Sequence, residues 1–252
     1  PHGRRYPRTS GGSEILLARV RSCGVFGIDG FLIDVEVDSR PGEFRFDIVG
    51  LPDASVKESR ERVRSAVRNS GFRLPHGTVL VSLAPADQRK EGSALDLPIA
   101  VGLLLASDQM PEGGIRDYAM AGELALDGSL RPIAGALPIA MAARAAGLRG
   151  LLLPAVNAEE AAVLADFDVV PIGKLMDAVD FLGGTTAIAP HRTDVEALFA
   201  AGRRAVPDLN EVRGQAHVKR ALTVAAAGGH NLLMVGPPGT GKTMLASRLP
   251  GI

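Results

Sequence analysis

Apolar and polar side chains alternate over residues 15–51, as they do along strands that bury one face. Gly27 and Gly30, and then Pro41-Gly42, interrupt the alternation and supply turns. We therefore predict that the chain opens with a β-meander. Its three strands lie around Leu16–Val20, Leu32–Val37 and Phe44–Ile48.

A helix is predicted directly after the meander and runs to Asn69. Asp53 stands where a helix cap is expected, and Gly71 lies just past the other end. The apolar positions recur at helical spacing, and charged residues cover the other faces, which is typical of a solvated surface. These apolar positions are Val56, Val63 and Val67.

Helical and extended patterns alternate from residue 78 to residue 182. This succession indicates an α/β or α+β domain over residues 15–183. The predicted strands are Thr78–Leu83, Ala119–Ala125, Leu151–Leu153 and Val169–Ile172, and the predicted helices are Leu95–Ser107, Gly135–Ala146, Asn157–Leu164 and Leu175–Leu182.

Two further segments flank this domain. Residues 1–14 carry three arginines among Gly, Ser and Pro, and we expect a disordered leader there. Residues 184–207 are rich in turn formers and are interpreted as a linker with one short helix over 194–201. A second domain is expected from residue 208, with a helix over Gln215–Ala227 and a strand over Asn231–Val235.

Composition narrows the class of protein. The 252 residues are 46% hydrophobic and 22% charged, which is ordinary for a globular chain with no membrane segment. Since 28 basic side chains balance 28 acidic ones, no global field favours nucleic acid, although a local basic patch stays possible. The single cysteine, Cys23, is interpreted as a buried inert thiol and suggests a reducing cytoplasm.

One motif carries chemistry. A predicted strand, a glycine-rich run and a helix start follow one another as G-x-x-x-x-G-K-[ST], the phosphate-binding P-loop. Its amide groups would wrap the phosphates of ATP, Lys242 would contact the β- and γ-phosphates, and the Thr243 hydroxyl would complete the coordination of Mg²⁺. The residues expected to bind the cofactor are Gly236, Pro237, Pro238, Gly239, Thr240, Gly241, Lys242 and Thr243.

Binding ATP is not hydrolysing it. Hydrolysis also requires an acidic residue for Mg²⁺ and water, and generally an arginine from a neighbouring subunit. Only nine residues follow Thr243, so we expect this chain alone to lack the parts for hydrolysis.

Longer runs in both domains are also distinctive. In the second domain they are LNEVRGQAHVKRA over Leu209–Ala221 and GGHNLLMVGPPGTGKT over Gly228–Thr243. In the first domain they are Phe46–Asp53, Glu58–Val63, Leu83–Asp87 and Lys90–Ile99. Together these runs resemble the magnesium-chelatase-like AAA+ ATPases of the YifB/ComM type.

The resemblance implies a Lon-protease-like first domain and the truncated start of an AAA+ domain. It also implies, for the full-length protein, a homo-hexameric ring that migrates DNA branches in transformation and recombination. Val212 and Gln215 match the stretch that lies against the adenine base in AAA+ relatives. A metal-chelatase type of ATPase chaperone and a non-catalytic scaffold or oligomerisation module stay open as alternatives.

The resemblance also speaks against proteolysis. Lon-type catalysis uses a serine activated by a lysine. In a gapless match Ala94 occupies the nucleophile position, Ser93 lies one residue earlier, and Pro138 stands where the lysine would be. Ser93 with Lys90 or Lys174 remains a minor alternative to a simple capping or loop role.

The histidines and a group of basic residues are two further candidates for binding. The histidines show no metal-ligand spacing, and with one cysteine a zinc site is not expected. Seven basic residues of the first domain could form a contact with DNA that is independent of sequence and sensitive to salt. They are Arg60, Arg62, Arg64, Arg68, Arg73, Arg89 and Lys90.

Overall fold

The computed structural model describes residues 17–43, 45–75, 77–198 and 207–252. The predicted leader, Phe44, His76 and the second half of the predicted linker helix lie wholly or partly outside these residues. The described residues fall into two compact units, divided between Thr193 and Asp194. The domain boundaries derived from the sequence stay a prediction.

A seven-stranded sheet forms the centre of the first unit, in the order β3-β4-β2-β1-β5-β8-β9. It is a mixed α/β sheet whose middle is an antiparallel hairpin and whose outer pairs are parallel. The strands are β1 (Leu17–Phe26), β2 (Asp29–Arg40), β3 (Arg45–Val49), β4 (Thr78–Ala84), β5 (Tyr118–Met120), β8 (Gly150–Pro154) and β9 (Asp168–Ile172).

Helices cover both faces of this sheet. α1, α2 and α5 share one apolar cluster with β1, β2 and β4, and α3 and α4 share a second cluster with β5 and β8. Every residue of α2 is buried, which explains its continuous apolar sequence. The helices are α1 (Ala54–Asn69), α2 (Asp96–Ala106), α3 (Ala136–Ala145), α4 (Ala158–Ala161) and α5 (Leu175–Leu182).

The predicted meander is wrong in its third strand. β1 and β2 pair along their whole length, but β3 does not join β2. β4 lies between them, antiparallel to β2 and parallel to β3, which α1 connects to it. Periodicity finds strands without finding their partners, because an edge strand and a meander strand both bury alternate residues.

The predicted strand Ala119–Ala125 divides in two at Gly122. Its second part is β6 (Glu123–Leu124), which pairs with β7 (Leu130–Arg131) in a separate two-stranded ribbon. The Gly122 amide donates to the carbonyl of Ala94 over 2.7 Å, and a Cβ at this position would meet Leu130 at 2.5 Å. The chain must therefore leave the main sheet here.

The start of the predicted linker packs on the first unit. Ile188 is partly buried against its core, and the His191 amide donates to the carbonyl of Val169 over 2.7 Å. Arg192 contacts both the Phe167 carbonyl and Asp168. This contact covers the outer edge of β9.

The second unit begins with helical residues at 195–198, where the short linker helix was predicted, and it also contains α6 (Ala216–Gly228) and α7 (Lys242–Ala246). Its small apolar core consists of Val212, Leu222 and Leu245, with Leu209, Val218 and Met234 packed against it. The predicted strand Asn231–Val235 does not form, because no strand among the described residues of this unit pairs with it. Leu233 and Val235 are consequently 86% and 87% exposed.

Candidate nucleotide-binding site

The P-loop run forms a tight turn that leads into α7. Gly239 and Gly241 have φ angles of +82° and +80°, a region that side chains other than glycine rarely adopt. Gly241 is the residue that caps α7, so the helix begins at Lys242. A Cβ on Gly236 would come within 3.3 Å of the Thr240 hydroxyl, and one on Gly241 within 3.2 Å of Met244. The spacing of the glycines therefore follows from the shape of the loop.

The loop closes on the side chain of its own lysine. The Lys242 ammonium donates to the carbonyls of Gly236 and Pro237 over 2.7 and 2.8 Å, and it lies 3.3 Å from the Thr240 hydroxyl. That hydroxyl in turn donates to the Pro237 carbonyl over 2.9 Å. The charged end of Lys242 is thus held over the loop.

The other residues of the motif are mostly exposed. Pro238 and Gly239 lie at the tip of the turn, and Thr243 lies in the first turn of α7. Among the described residues the Thr243 hydroxyl has no hydrogen-bond partner, so its oxygen can accept a ligand. The structure brings all eight motif residues together in one short segment.

Val212 and Gln215, the two residues expected beside the adenine base, occupy different environments. Val212 is only 5% exposed and packs with Leu222 and with Leu245 of α7. Gln215 is exposed and caps α6 with a φ angle of +54°. The structure thus places Val212 against the P-loop helix, whereas the Gln215 side chain makes no described contact with it.

Arg248 bridges α7 and the segment before α6, a role that no sequence motif indicated. Its guanidinium donates to the carbonyl of Asp208 over 3.2 Å, to the carbonyl of Met244 over 2.7 Å and to the Glu211 carboxylate over 3.0 Å. An arginine just beyond a helix end is a known partner for the last carbonyls, and this was the available signal. Arg248 holds residues 208–211 beside α7.

Ser93 has no lysine partner among the described residues. The Ser93 hydroxyl donates to the Glu123 carboxylate, which also receives Arg131 at 3.3 Å. Lys90 is 1% exposed and donates to the Pro85 carbonyl, and burial lowers the pKa of its amine. Lys174 caps α5. No described lysine therefore activates Ser93.

The basic group seen in the sequence is divided by the fold. Arg62 turns inward and donates to Asp96 over 2.6 Å and to the Ser55 carbonyl over 3.0 Å. Lys90 is buried as well, so neither residue can reach a phosphate. Arg60 and Arg68 are exposed, and Arg64 is partly exposed.

The structure also describes the cysteine, the potential metal ligands and the apolar helices. The structure confirms that Cys23 is buried, and this burial raises the pKa of its thiol to about 12. In the part of the chain that the structure describes, no group of three or more His, Cys, Asp or Glu could hold a metal ion. None of the described helices is long and apolar enough to cross a membrane.

Comparison with known proteins identifies the family. The model "Subunit ChlI of Mg-chelatase" matches residues 35–157, and the model "Magnesium chelatase, subunit ChlI" matches residues 208–252. Competence protein ComM of Haemophilus influenzae is 44% identical over 239 residues, 94% of this chain and 46% of the relative. The chain belongs to the YifB/ComM family of magnesium-chelatase-like proteins. It is accordingly a magnesium-chelatase-like AAA+ protein.

Two further YifB/ComM relatives align with this chain over nearly the same length. YifB of Salmonella typhimurium is 44% identical and YifB of Escherichia coli 42% identical, each over 237 residues. Each alignment covers 94% of this chain and 46% of the relative. The chain thus spans about half the length of the curated YifB/ComM relatives it matches.

Proposed function

We propose that residues 236–243 bind the phosphates of ATP together with Mg²⁺. The observation that carries this proposal is the loop closed on Lys242, whose ammonium is held by two carbonyls at 2.7 and 2.8 Å. An anion can therefore reach the ammonium at the loop itself by replacing one of these carbonyl contacts. The P-loop sequence and its position at the start of α7 support the same assignment.

The residues of the loop fit both the phosphates of ATP and Mg²⁺. The glycines leave the loop without side chains at three positions, two of them with positive φ, so the backbone can approach phosphate oxygens closely. Lys242 would hold the β- and γ-phosphates, and the Thr243 oxygen would serve as a hard oxygen ligand of the kind that Mg²⁺ prefers. Bound Mg²⁺ would neutralise phosphate charge. Val212 and Gln215 would flank the base, with Val212 acting through its packing on Leu245.

The first test is the binding of a fluorescent ATP analogue with Mg²⁺ to the chain. We expect Lys242→Ala to weaken binding at least about tenfold, because it removes the charged partner of the phosphates. Lys219→Ala, on α6 of the same unit, is the matched control and should bind as wild type does. Equal binding by all three proteins would contradict the proposed site.

For the full-length protein we propose a homo-hexameric AAA+ ATPase that migrates DNA branches in transformation or recombination in the cytoplasm. The support is family membership over both units, since AAA+ ATPases act as rings in which neighbours complete each site. Forked DNA should raise the rate of ATP turnover by the full-length protein. Turnover that is unaffected by DNA would count against the motor.

A metal-chelatase type of ATPase chaperone is the second candidate, and the description of both matching family models favours it. We nevertheless favour the motor. We propose that the first unit is a Lon-protease-like module without a catalytic dyad, which is the arrangement that the resemblance to the YifB/ComM family implies together with DNA branch migration. The lack of a dyad is supported by the Ser93 hydroxyl, which is bonded to Glu123, and by Pro138, which lies inside α3 at the position matched to the lysine. In this view the first unit serves as a scaffold or an oligomerisation module.

A further inference from the structure

A groove of about 410 Å³ is lined by residues of β3 and α1. Since β3 is the last strand of the sheet, one of its backbone edges has no strand partner in the described chain. Six residues line the groove, three from each element: Arg45, Phe46 and Asp47, and Arg60, Glu61 and Arg64.

The basic lining continues along α1 beyond the groove. Lys57, Arg60, Arg64 and Arg68 follow one another at spacings of three, four and four residues. With 3.6 residues per turn, these four side chains fall within an arc of about 80° and extend over about 16 Å of helix. Neighbouring members are roughly 5–6 Å apart at Cβ. We call these four residues and Arg45 the basic track.

Positive charge exceeds negative charge along the basic track. Glu61 is shared between Arg60 at 3.1 Å and Arg64 at 3.2 Å, and Asp47 is the other acid of the groove. Glu58 turns to Arg62 instead. Within the described residues, no ion pair closer than 4.0 Å involves the remaining three members of the track, which are Arg45, Lys57 and Arg68.

A second arginine-lined groove differs in this respect. It lies at the start of β1 and contains Arg19, Arg21 and Arg116. Each of these three arginines has its own acidic partner, and the pairs are Arg19–Glu36, Arg21–Asp34 and Arg116–Glu112. Both grooves are therefore lined by arginines. Those of the second groove are each paired with an acid, whereas positive charge exceeds negative charge in the first.

We propose that the basic track binds the sugar-phosphate backbone of DNA without regard to sequence. This inference rests on the proposed DNA partner and adds the surface that contacts it. A row of cations at this spacing can neutralise successive phosphates along one strand. Phe46, the aromatic side chain in the groove, is only 5% exposed and offers no ring on which a base could stack.

The test is the anisotropy of a short fluorescein-labelled DNA duplex titrated with the chain at several salt concentrations. The track variant carries Arg45→Gln, Lys57→Gln, Arg60→Gln and Arg68→Gln. The control variant carries Arg19→Gln, Arg21→Gln, Arg116→Gln and Arg131→Gln. Both variants remove four positive charges from exposed side chains, so they have the same net charge.

We expect the track variant to lose roughly tenfold or more in affinity at low salt and to reduce the slope of log K against log salt by about three to four. The control should change the slope little. Equal loss in both variants would show attraction by net charge alone and overturn the track. No loss in the track variant would overturn it as well.

Failure of the track can be told apart from failure of the nucleotide site. Binding of the ATP analogue is measured on the same proteins, and the track lies in the first unit, away from the motif residues in sequence. A wild-type chain that binds the analogue and no DNA would overturn the track and leave the nucleotide site standing. Circular dichroism of both variants verifies that they are folded.

Discussion

Asp96 is completely buried beneath α1, and polar groups surround its carboxylate. The Ser59 hydroxyl, the Arg62 guanidinium and the Leu124 amide all donate to it. A buried carboxylate is tolerated when its charge is paired and its lone pairs are filled. This arrangement joins α1, the start of α2 and β6, and it explains why an arginine among surface charges points inward.

Removing one member of this pair should be costly. We expect Arg62→Ala to lower the free energy of unfolding by about 3–5 kcal/mol, because it leaves a buried charge without its partner. Arg60→Ala, two residues earlier on the exposed face, should lower it by less than about 1 kcal/mol. Urea unfolding monitored by circular dichroism compares the two. Similar losses would show that Arg62 is only a surface residue.

Lys90 gives the stability a dependence on pH. Burial lowers the pKa of its amine below 10.5, so between the folded and unfolded pKa values the unfolded chain binds more protons. Stability should therefore rise with pH between these two pKa values and level off above the ordinary pKa of a lysine amine. Lys90→Met keeps the apolar stem and should flatten this rise in urea unfolding. An unchanged pH profile would contradict the assignment.

At the scale of elements, Asp53 fixes the start of α1. Its carboxylate accepts from the Val56 amide over 2.7 Å and from the Gly92 amide over 3.2 Å. Asp53→Ala should lower the free energy of unfolding by about 0.5–2 kcal/mol, and Asp53→Asn by much less because an amide oxygen still caps the helix. Thermal unfolding of both variants measures this. Equal losses would mean that charge, not capping, matters.

Local patterns located most elements of the first unit. The valines of α1 and the cap at Asp53 placed that helix at its observed ends, and α5 was predicted over its observed residues. The order of the strands was beyond reach, because β4 pairs with β2 after a long excursion through β3 and α1. Pairing over such distances depends on the packing of α1 and α2, which periodicity does not contain.

In the candidate site, too, local features could be predicted from the sequence and long-range contacts could not. The motif itself was recognisable from residue types and spacing, since each glycine has a steric reason. The role of Arg248 was not, because its partners Asp208 and Glu211 precede it by about forty residues. Arg62 was assigned to the surface for a related reason: its partner Asp96 becomes a neighbour only through folding.

Across the whole molecule, the two units differ greatly in the size of their cores. The first has two large apolar clusters, whereas the second buries Val212, Leu222, Ala225 and Leu245. Because small cores give little stability, we expect amide hydrogen exchange to be fastest in residues 207–252.

Mg²⁺-ATP should protect the second unit selectively. At one hundred times its dissociation constant, a ligand adds about 2.7 kcal/mol to the stability of the state that binds it. Exchange of amides in residues 236–246 should therefore slow by up to about a hundredfold, with little change in the first unit. Mass spectrometry of wild type and Lys242→Ala measures this. Equal protection of both proteins would contradict it.

The closed loop around Lys242 has a consequence for ligand choice. All three ammonium donors are directed at oxygen atoms of the loop itself, so an entering anion must outcompete at least one internal contact. A ligand with one phosphate has few oxygens to offer in exchange, whereas a chain of phosphates presents several at once. The oxygens of the loop therefore compete with any entering anion, and we expect orthophosphate and nucleoside monophosphates to bind more weakly than ATP.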